Sequence, residues 1–204
     1  IKRTKTQLII ANTFHLWDPA LADKGSPRKK SVKTFLTKRL GLNIPTMTDS
    51  GGFQVLSLAF GDKNKVGKIL PTLPTSQVGY PQRNTKRVKI TEKGVYFQFN
   101  GRKIFLGPEL SMKIQDRIGA DIIFAFDHIT SPLDDYEYNK KAVELTDKWA
   151  KICLKTRNPK QMLFGIVQGG LFKDLRIKSA KSIGSLPFDG FGIGGSYTKK
   201  QIAE

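Results

Sequence analysis

The sequence predicts an α/β protein with a parallel sheet, and two observations carry that prediction. Short, nearly continuous apolar runs alternate with longer amphipathic stretches, the pattern of buried parallel strands joined by covering helices. Polar or glycine-rich residues stand directly after nearly every apolar run: Asn12, Asp49-Ser50-Gly51-Gly52, Asp127, Gln168-Gly169-Gly170 and Gly194-Gly195. Barrel enzymes build their sites from the carboxyl ends of many strands, whereas a doubly wound sheet gathers ligand groups at one switch point. The distribution favours a (β/α)8 barrel. Five strand–helix units are legible in the 204 residues. A complete barrel has eight, in about 250 residues. The chain also starts at Ile1 rather than Met, so it reads as a barrel incomplete at both ends.

Each element has its own local reason. Residues 7–11 (QLIIA) and 44–48 are short apolar runs that read as strands. Between them, residues 32–40 place Val32, Phe35, Leu36 and Leu40 at helical spacing, and Gly41 stops the helix. Residues 95–105 read as a hairpin, because Asn100-Gly101 suits a type I′ turn whose central residues both need positive φ. Pro108 opens a helix to about Ile118, a favoured first-turn position for proline. Residues 121–126 (DIIFAF), 163–167 and 191–193 are further strands. Helices are expected over 138–155, with Ala142, Leu145, Trp149, Ile152 and Cys153 on one face, over 171–183, and from about Lys199. Residues 61–93 hold three prolines and many Lys and Arg with little periodicity, and read as a long, basic, mobile loop.

Composition narrows the function classes. The chain holds 35 Lys and Arg against 17 Asp and Glu, a net charge of +18. The excess is uneven: residues 1–120 carry 22 basic and 7 acidic side chains, or +15, and residues 121–204 carry 13 and 10, or +3. Such a field attracts polyanions and points to nucleic acid; a lysine-rich composition with solvated faces is the plainer reading. One cysteine, Cys153, excludes a disulfide framework and a cysteine-based zinc site within these residues. No apolar run approaches the roughly 18 residues of a membrane span, and no signal peptide is legible, so the expectation is a cytoplasmic protein.

The sharpest motif is Thr48-Asp49-Ser50-Gly51-Gly52-Phe53-Gln54. Its carboxylate suits acid–base work, its glycines allow close backbone approach, and Phe53 suits stacking on a flat ring. The plain structural alternative is a helix N-cap with a tight turn. Asp127 follows Phe124-Ala125-Phe126, where a carboxylate among apolar groups suits the N–H donors of a heterocycle. Gln168 offers an acceptor and two donors to a purine-like edge. Gly194 and Gly195 present backbone N–H groups to an oxygen. Each has a bland counterpart, a cap or a turn, but the groups converge on one barrel mouth. Phosphate loops are absent, and His15 and His128 stand in no metal spacing, so no metal ligand is assigned. His15 reads as a packed loop residue, and Cys153 as core.

These residues, in this order, resemble the tRNA-guanine transglycosylase family: Ala11-Asn12-Thr13-Phe14-His15-Leu16, Thr48 to Val55, Phe126-Asp127, Gly165 to Gly170 and Gly192 to Gly195. The resemblance implies a modified (β/α)8 barrel that exchanges guanine in tRNA for a 7-deazaguanine, in bacteria at the anticodon wobble position on the way to queuosine. It implies Asp49 as proton acceptor and Ser50, Gly51, Gly52 and Phe53 as the loop around the base. Asp127 would read the N–H edge, Gln168 would contact the base, and Gly195 would donate to its carbonyl. A nucleophilic aspartate and a structural zinc with Cys and His ligands are implied beyond Glu204, so this stretch alone is expected not to turn over. Partners implied are tRNA, the guanine or 7-deazaguanine base and a second copy of the chain. Two features depart from the family pattern: His128-Ile129 stand where Glu-Cys is usual, and Ser196-Tyr197 where Leu-Ala is common. The alternatives are a non-catalytic tRNA-binding subunit and a barrel enzyme acting on a free purine-like base.

Overall fold

A computed structural model describes residues 5–16, 43–52, 88–99, 101–132 and 134–195. In chain order the elements are β1 (Ile9–Ala11), α1 (Thr13–Leu16), β2 (Thr46–Thr48), β3 (Val88–Thr91), β4 (Gly94–Phe99), β5 (Arg102–Leu106), α2 (Pro108–Ile118), β6 (Ile122–Phe124), α3 (Tyr136–Thr156), β7 (Met162–Val167), α4 (Lys173–Gly184) and β8 (Gly190–Ile193). The helices expected at 32–40 and from Lys199, the basic stretch 61–87, Phe53 and Ser196-Tyr197 lie outside the described residues.

The main sheet has five strands in the order β1-β2-β6-β7-β8, every pair parallel. This is the α/β class that the alternation of apolar runs predicts. Register is continuous across it: Met47 pairs with Ile122, Ile122 with Met162, and Phe164 with Gly190. All five strands therefore end on one side, and the segment after each carries a site candidate. Asp121 ties the other ends, its Oδ2 accepting from Thr46 N and Thr46 Oγ1, both at 3.0 Å. The core lies between the sheet and its helices: Ile123, Leu163, Trp149 and Cys153 are fully buried, and the Phe126 and Trp149 rings are 5.0 Å apart.

A second sheet, β3-β4-β5, is antiparallel and lies in sequence between β2 and α2. Its apolar face, including Val95, Phe97, Ile104 and Leu106, is buried with Phe14 in the same core cluster.

Four differences from the sequence reading have physical reasons. Val88–Thr91 is a strand rather than the tail of a loop, because Val88 and Ile90 pair with Phe97 and Val95 and add an apolar row to the hairpin. Short period-two runs with lysine between them are hard to separate from loop by pattern alone. His15 lies in a one-turn helix, not a loop, and Leu16 N bonds Asn12 O at 3.3 Å. Helix α3 starts at Tyr136, two residues early, because the Asp135 carboxylate accepts from Tyr138 N at 2.8 Å and caps it. Its buried face runs through Ala142, Val143, Thr146, Trp149, Ala150 and Cys153, while Leu145 and Ile152 flank it half-buried.

Candidate active site at the carboxyl ends of the strands

Asp49 follows β2 directly, and its carboxylate is held by the neighbouring strand's turn. Asn12 Nδ2 donates to Oδ2 at 2.8 Å, and Thr13 N and Gly51 N donate to Oδ1 at 3.0 and 3.1 Å. Thr13 Oγ1 donates to the Asp49 carbonyl. The Gly51 donor is in place because the chain turns through φ +82° there, a conformation that favours glycine. The arrangement includes the local turn that a cap would make, but it also joins two strand ends, which a local cap does not.

Ser50 joins this loop to the third strand end. Its Oγ donates to Asp127 Oδ1 at 3.3 Å and accepts from Gly52 N at the same distance. Gln168, after β7, completes the chain: its Nε2 donates to Asp127 Oδ2 at 2.6 Å. Ser50, Asp127 and Gln168 are all buried, Gln168 completely. Gln168 N bonds Ser179 Oγ at 3.0 Å, which anchors its backbone to α4, and Gln168 Oε1 is a buried acceptor with no protein partner. Beyond β8, Gly194 lies flat against this amide: an added Cβ would sit 2.5 Å from Gln168 Nε2. The Gly194 carbonyl accepts from Arg176 Nη1 at 2.9 Å.

The structure thus brings together Asp49, Ser50, Gly51, Gly52, Asp127, Gln168 and Gly194 from four successive strand ends, with Asn12 from the fifth. Gly195 follows with φ +119°. Phe53 is outside the described residues.

Sequence reasoning missed the group that locks the cluster. Gln115, on α2, is completely buried. Its Oε1 accepts from Thr48 Oγ1 and Phe124 N, both at 3.1 Å. Its Nε2 donates to Phe124 O at 2.9 Å and to Ser111 Oγ at 3.1 Å, and Ser111 Oγ donates to Ser50 O at 2.9 Å. One amide therefore fixes the last residues of β2 and β6 and, through Ser111, the site loop. The signal was present: Ser111 and Gln115 are polar at i, i+4 on the same stripe as Met112 and Ile118. Asn139 was missed likewise. Its Oδ1 accepts from Thr130 Oγ1 at 2.7 Å and lies 2.3 Å from where a Gly170 Cβ would be, so it braces the loops after β6 and β7.

His128 turns away from a ligand role. Its backbone N bonds Thr146 Oγ1 at 3.0 Å, its Nε2 contacts Tyr138 Oη at 2.9 Å, and its ring packs 6.2 Å from Trp149. Cys153 Sγ accepts from Phe126 N at 3.3 Å, and burial pushes its thiol up to about 12. It is core, as the sequence implies. Among the described residues no group of three or more His, Cys, Asp or Glu is placed to hold a metal ion.

Fold and site define an α/β protein with a parallel sheet whose polar cluster is assembled from successive strand ends. The particular family is shown by comparison: the queuine tRNA-ribosyltransferase model matches residues 1–204, and the chain belongs to that family. It is 40% identical over 213 residues to a putative queuine tRNA-ribosyltransferase of Archaeoglobus fulgidus, covering 98% of this chain and 51% of that protein. It is 39% identical over 199 residues to a queuine tRNA-ribosyltransferase of Staphylococcus aureus strain JH9, covering 96% of this chain and 44% of that one. The chain spans about half the length of these curated relatives.

Proposed function

We propose that the protein exchanges guanine for a 7-deazaguanine at the wobble position of tRNA, a pentosyl transfer in queuosine biosynthesis. The observation that carries this reading is the buried Ser50–Asp127–Gln168 chain at the strand ends, in a member of this family. Guanine presents N–H donors on one edge and a carbonyl beside them. Asp127 accepts from the donors, Gln168 meets the base through its unpartnered Oε1, and Gly195 N–H faces the carbonyl. The Ser50-Gly51-Gly52 loop and Phe53 close on the base faces. Asp49, anchored by Asn12 and Thr13, accepts and returns the proton.

The exchange balances without a redox partner. The bond from ribose C1′ to guanine N9 breaks, and a bond from C1′ to N9 of the incoming base forms. The N9 proton of the incoming base ends on the departing guanine. The target base leaves its stack before it enters the site, which costs a few kcal/mol.

The same reading takes the five strands as part of a (β/α)8 barrel and residues 1–204 as one partial barrel domain, with 61–93 as an insertion that ends in β3. Strand order that follows chain order, with no reversal, supports the barrel over a doubly wound sheet. A tRNA partner fits the net charge of +18. A homodimer and a cytoplasmic location complete the proposal; among the described residues no helix is long and apolar enough to cross a membrane.

The non-catalytic tRNA-binding subunit is the second reading, and His128-Ile129 at the position of the usual Glu-Cys bears on which base is taken. Incorporation of labelled guanine into unmodified tRNA by the full-length protein decides between them. Incorporation that drops at least about a hundredfold in Asp49→Asn and Asp127→Ala supports catalysis. Binding of tRNA without incorporation supports the subunit instead.

A further inference from the structure

The β3-β4-β5 sheet has two unlike faces, and its register separates them row by row. Val88, Phe97 and Ile104 form one inner row, and Ile90, Val95 and Leu106 the next. These rows lie in the core, and Leu106 reaches the site loop: a Cβ added at Gly51 would meet its Cδ2 at 3.4 Å. The sheet is therefore fixed beside the strand-end cluster.

The opposite face carries Lys89, Tyr96 and Phe105 in one row and Gln98 with Lys103 in another. Lys89, Gln98 and Lys103 are exposed, and Tyr96 and Phe105 are half-buried. The two rings lie 4.9 Å apart at 48°, and Lys103 Nζ stands 5.0 Å from the Tyr96 centroid. No acidic residue belongs to these rows; Glu92, in the β3–β4 turn, is paired with Lys148 at 2.6 Å.

We propose that this outer face is an RNA-contact surface, taking single-stranded nucleotides of the tRNA next to the target base. The inference rests on the reading above, since it presumes a tRNA substrate. Every base has a π-face, so adjacent rings hold nucleotides with little sequence preference, and lysines beside them meet phosphates. Phe105 also covers Gly94 and Gly107, where an added Cβ would lie 2.9 Å from its ring, but the Tyr96 ring beside it stands among cations, with no carboxylate in its rows. Charge complementarity selects the occupant: residues 1–120, which contain this sheet, carry +15 of the net +18.

The test compares wild type with Lys89→Gln/Tyr96→Ser/Lys103→Gln, using an unmodified tRNA transcript and a short polyuridine oligonucleotide as probes. The variant is expected to bind both at least about tenfold more weakly. Its salt dependence should flatten by roughly 1.4, two lysines at about 0.7 each for a single strand. Tyr96→Phe, which keeps the ring, should bind as wild type, and thermal melting checks that the triple variant folds. Unchanged affinity and salt slope in the folded variant overturn the proposal. So does a loss of self-association with RNA binding intact, which would make the face a contact between copies. Guanine exchange by the full-length wild-type protein is measured separately. Exchange that proceeds while the variant still binds RNA normally refutes this surface alone. A wild type that binds polyuridine through this face but never exchanges guanine refutes the catalytic reading and leaves the surface standing. A wild type that binds neither RNA refutes both.

Discussion

Gln168 Nε2 donates to Asp127 Oδ2 at 2.6 Å across two neighbouring strand ends, with both side chains buried. A charge-assisted bond this short orients the carboxylate more firmly than a neutral pair would. Gln168→Leu removes that donor from a buried acid and also removes the Oε1 acceptor. The expected cost is about 1–3 kcal/mol of stability, read from urea unfolding. Under the proposed chemistry, KM for guanine should rise more than kcat falls, because the amide acts in binding. A variant as stable as wild type, with unchanged KM, would remove Gln168 from the site.

Gln115 tests whether the site is held from behind. Its amide bonds Thr48, Phe124 and Ser111 rather than Asp49, Asp127 or Gln168. Gln115→Leu strands the Phe124 N–H and C=O partners and should destabilise by at least about 3 kcal/mol. Gln115→Glu keeps the Oε1 acceptor but loses the donor, so it should be less stable than wild type yet fold. If Gln115 is a positioning residue, the Glu variant at a temperature where it is fully folded should lose kcat with little change in tRNA affinity. Equal activity per folded molecule would reduce the residue to a purely structural role.

How much of this was legible follows the kind of interaction involved. Strand ends marked by a polar residue or a glycine could be read one residue at a time, so Asp49, Asp127, Gln168 and Gly194 all stand at the strand ends where the sequence puts them. Helix α2 ran from Pro108 to Ile118 as expected because proline at its start and Gly119, at φ 72°, mark both ends locally. Gln115 and Asn139 were not read, because a polar residue inside a helical stripe declares itself only through partners far along the chain, such as Thr48, 67 residues away. Strand β3 was hidden for the same reason: its pairing with β4 is what makes Lys89 an outward residue rather than part of a basic loop.

Gly194 isolates close approach from backbone strain. It is absent from the residues with positive φ, yet a Cβ there would lie 2.5 Å from Gln168 Nε2 and 2.7 Å from Ile166 Cγ2. Gly194→Ala should therefore displace the Gln168 amide, weaken base binding about tenfold or more, and cost no more stability than the roughly 1–3 kcal/mol of Gln168→Leu. Gly169→Ala is the contrast: at φ +131°, and with a Cβ 2.6 Å from Arg176 N, it should lower stability outright. Parallel measurements of melting temperature and guanine binding separate the two outcomes. A Gly194→Ala protein with wild-type guanine affinity would show that the amide moves without consequence.

Cys153 links the core to the site, since its Sγ receives the Phe126 N–H one residue before Asp127. Burial raises its thiol pKa to about 12. In the unfolded chain a cysteine titrates near about 8.5. Between those values the unfolded state has lost the proton that the folded state keeps. The thiol's contribution to stability is therefore complete below about pH 8.5 and shrinks as pH rises toward the folded value. Lysines and tyrosines titrate in the same alkaline range, so the measurement is a difference. Wild type should lose more unfolding free energy than Cys153→Ala between about pH 8 and pH 10. The Ala variant starts lower at neutral pH, because it strands the Phe126 N–H. A thiol reagent at neutral pH should label the native protein only at its unfolding rate and the denatured protein at once. Rapid labelling of the native state, or parallel pH curves for the two proteins, would show that Cys153 is not sealed behind Asp127.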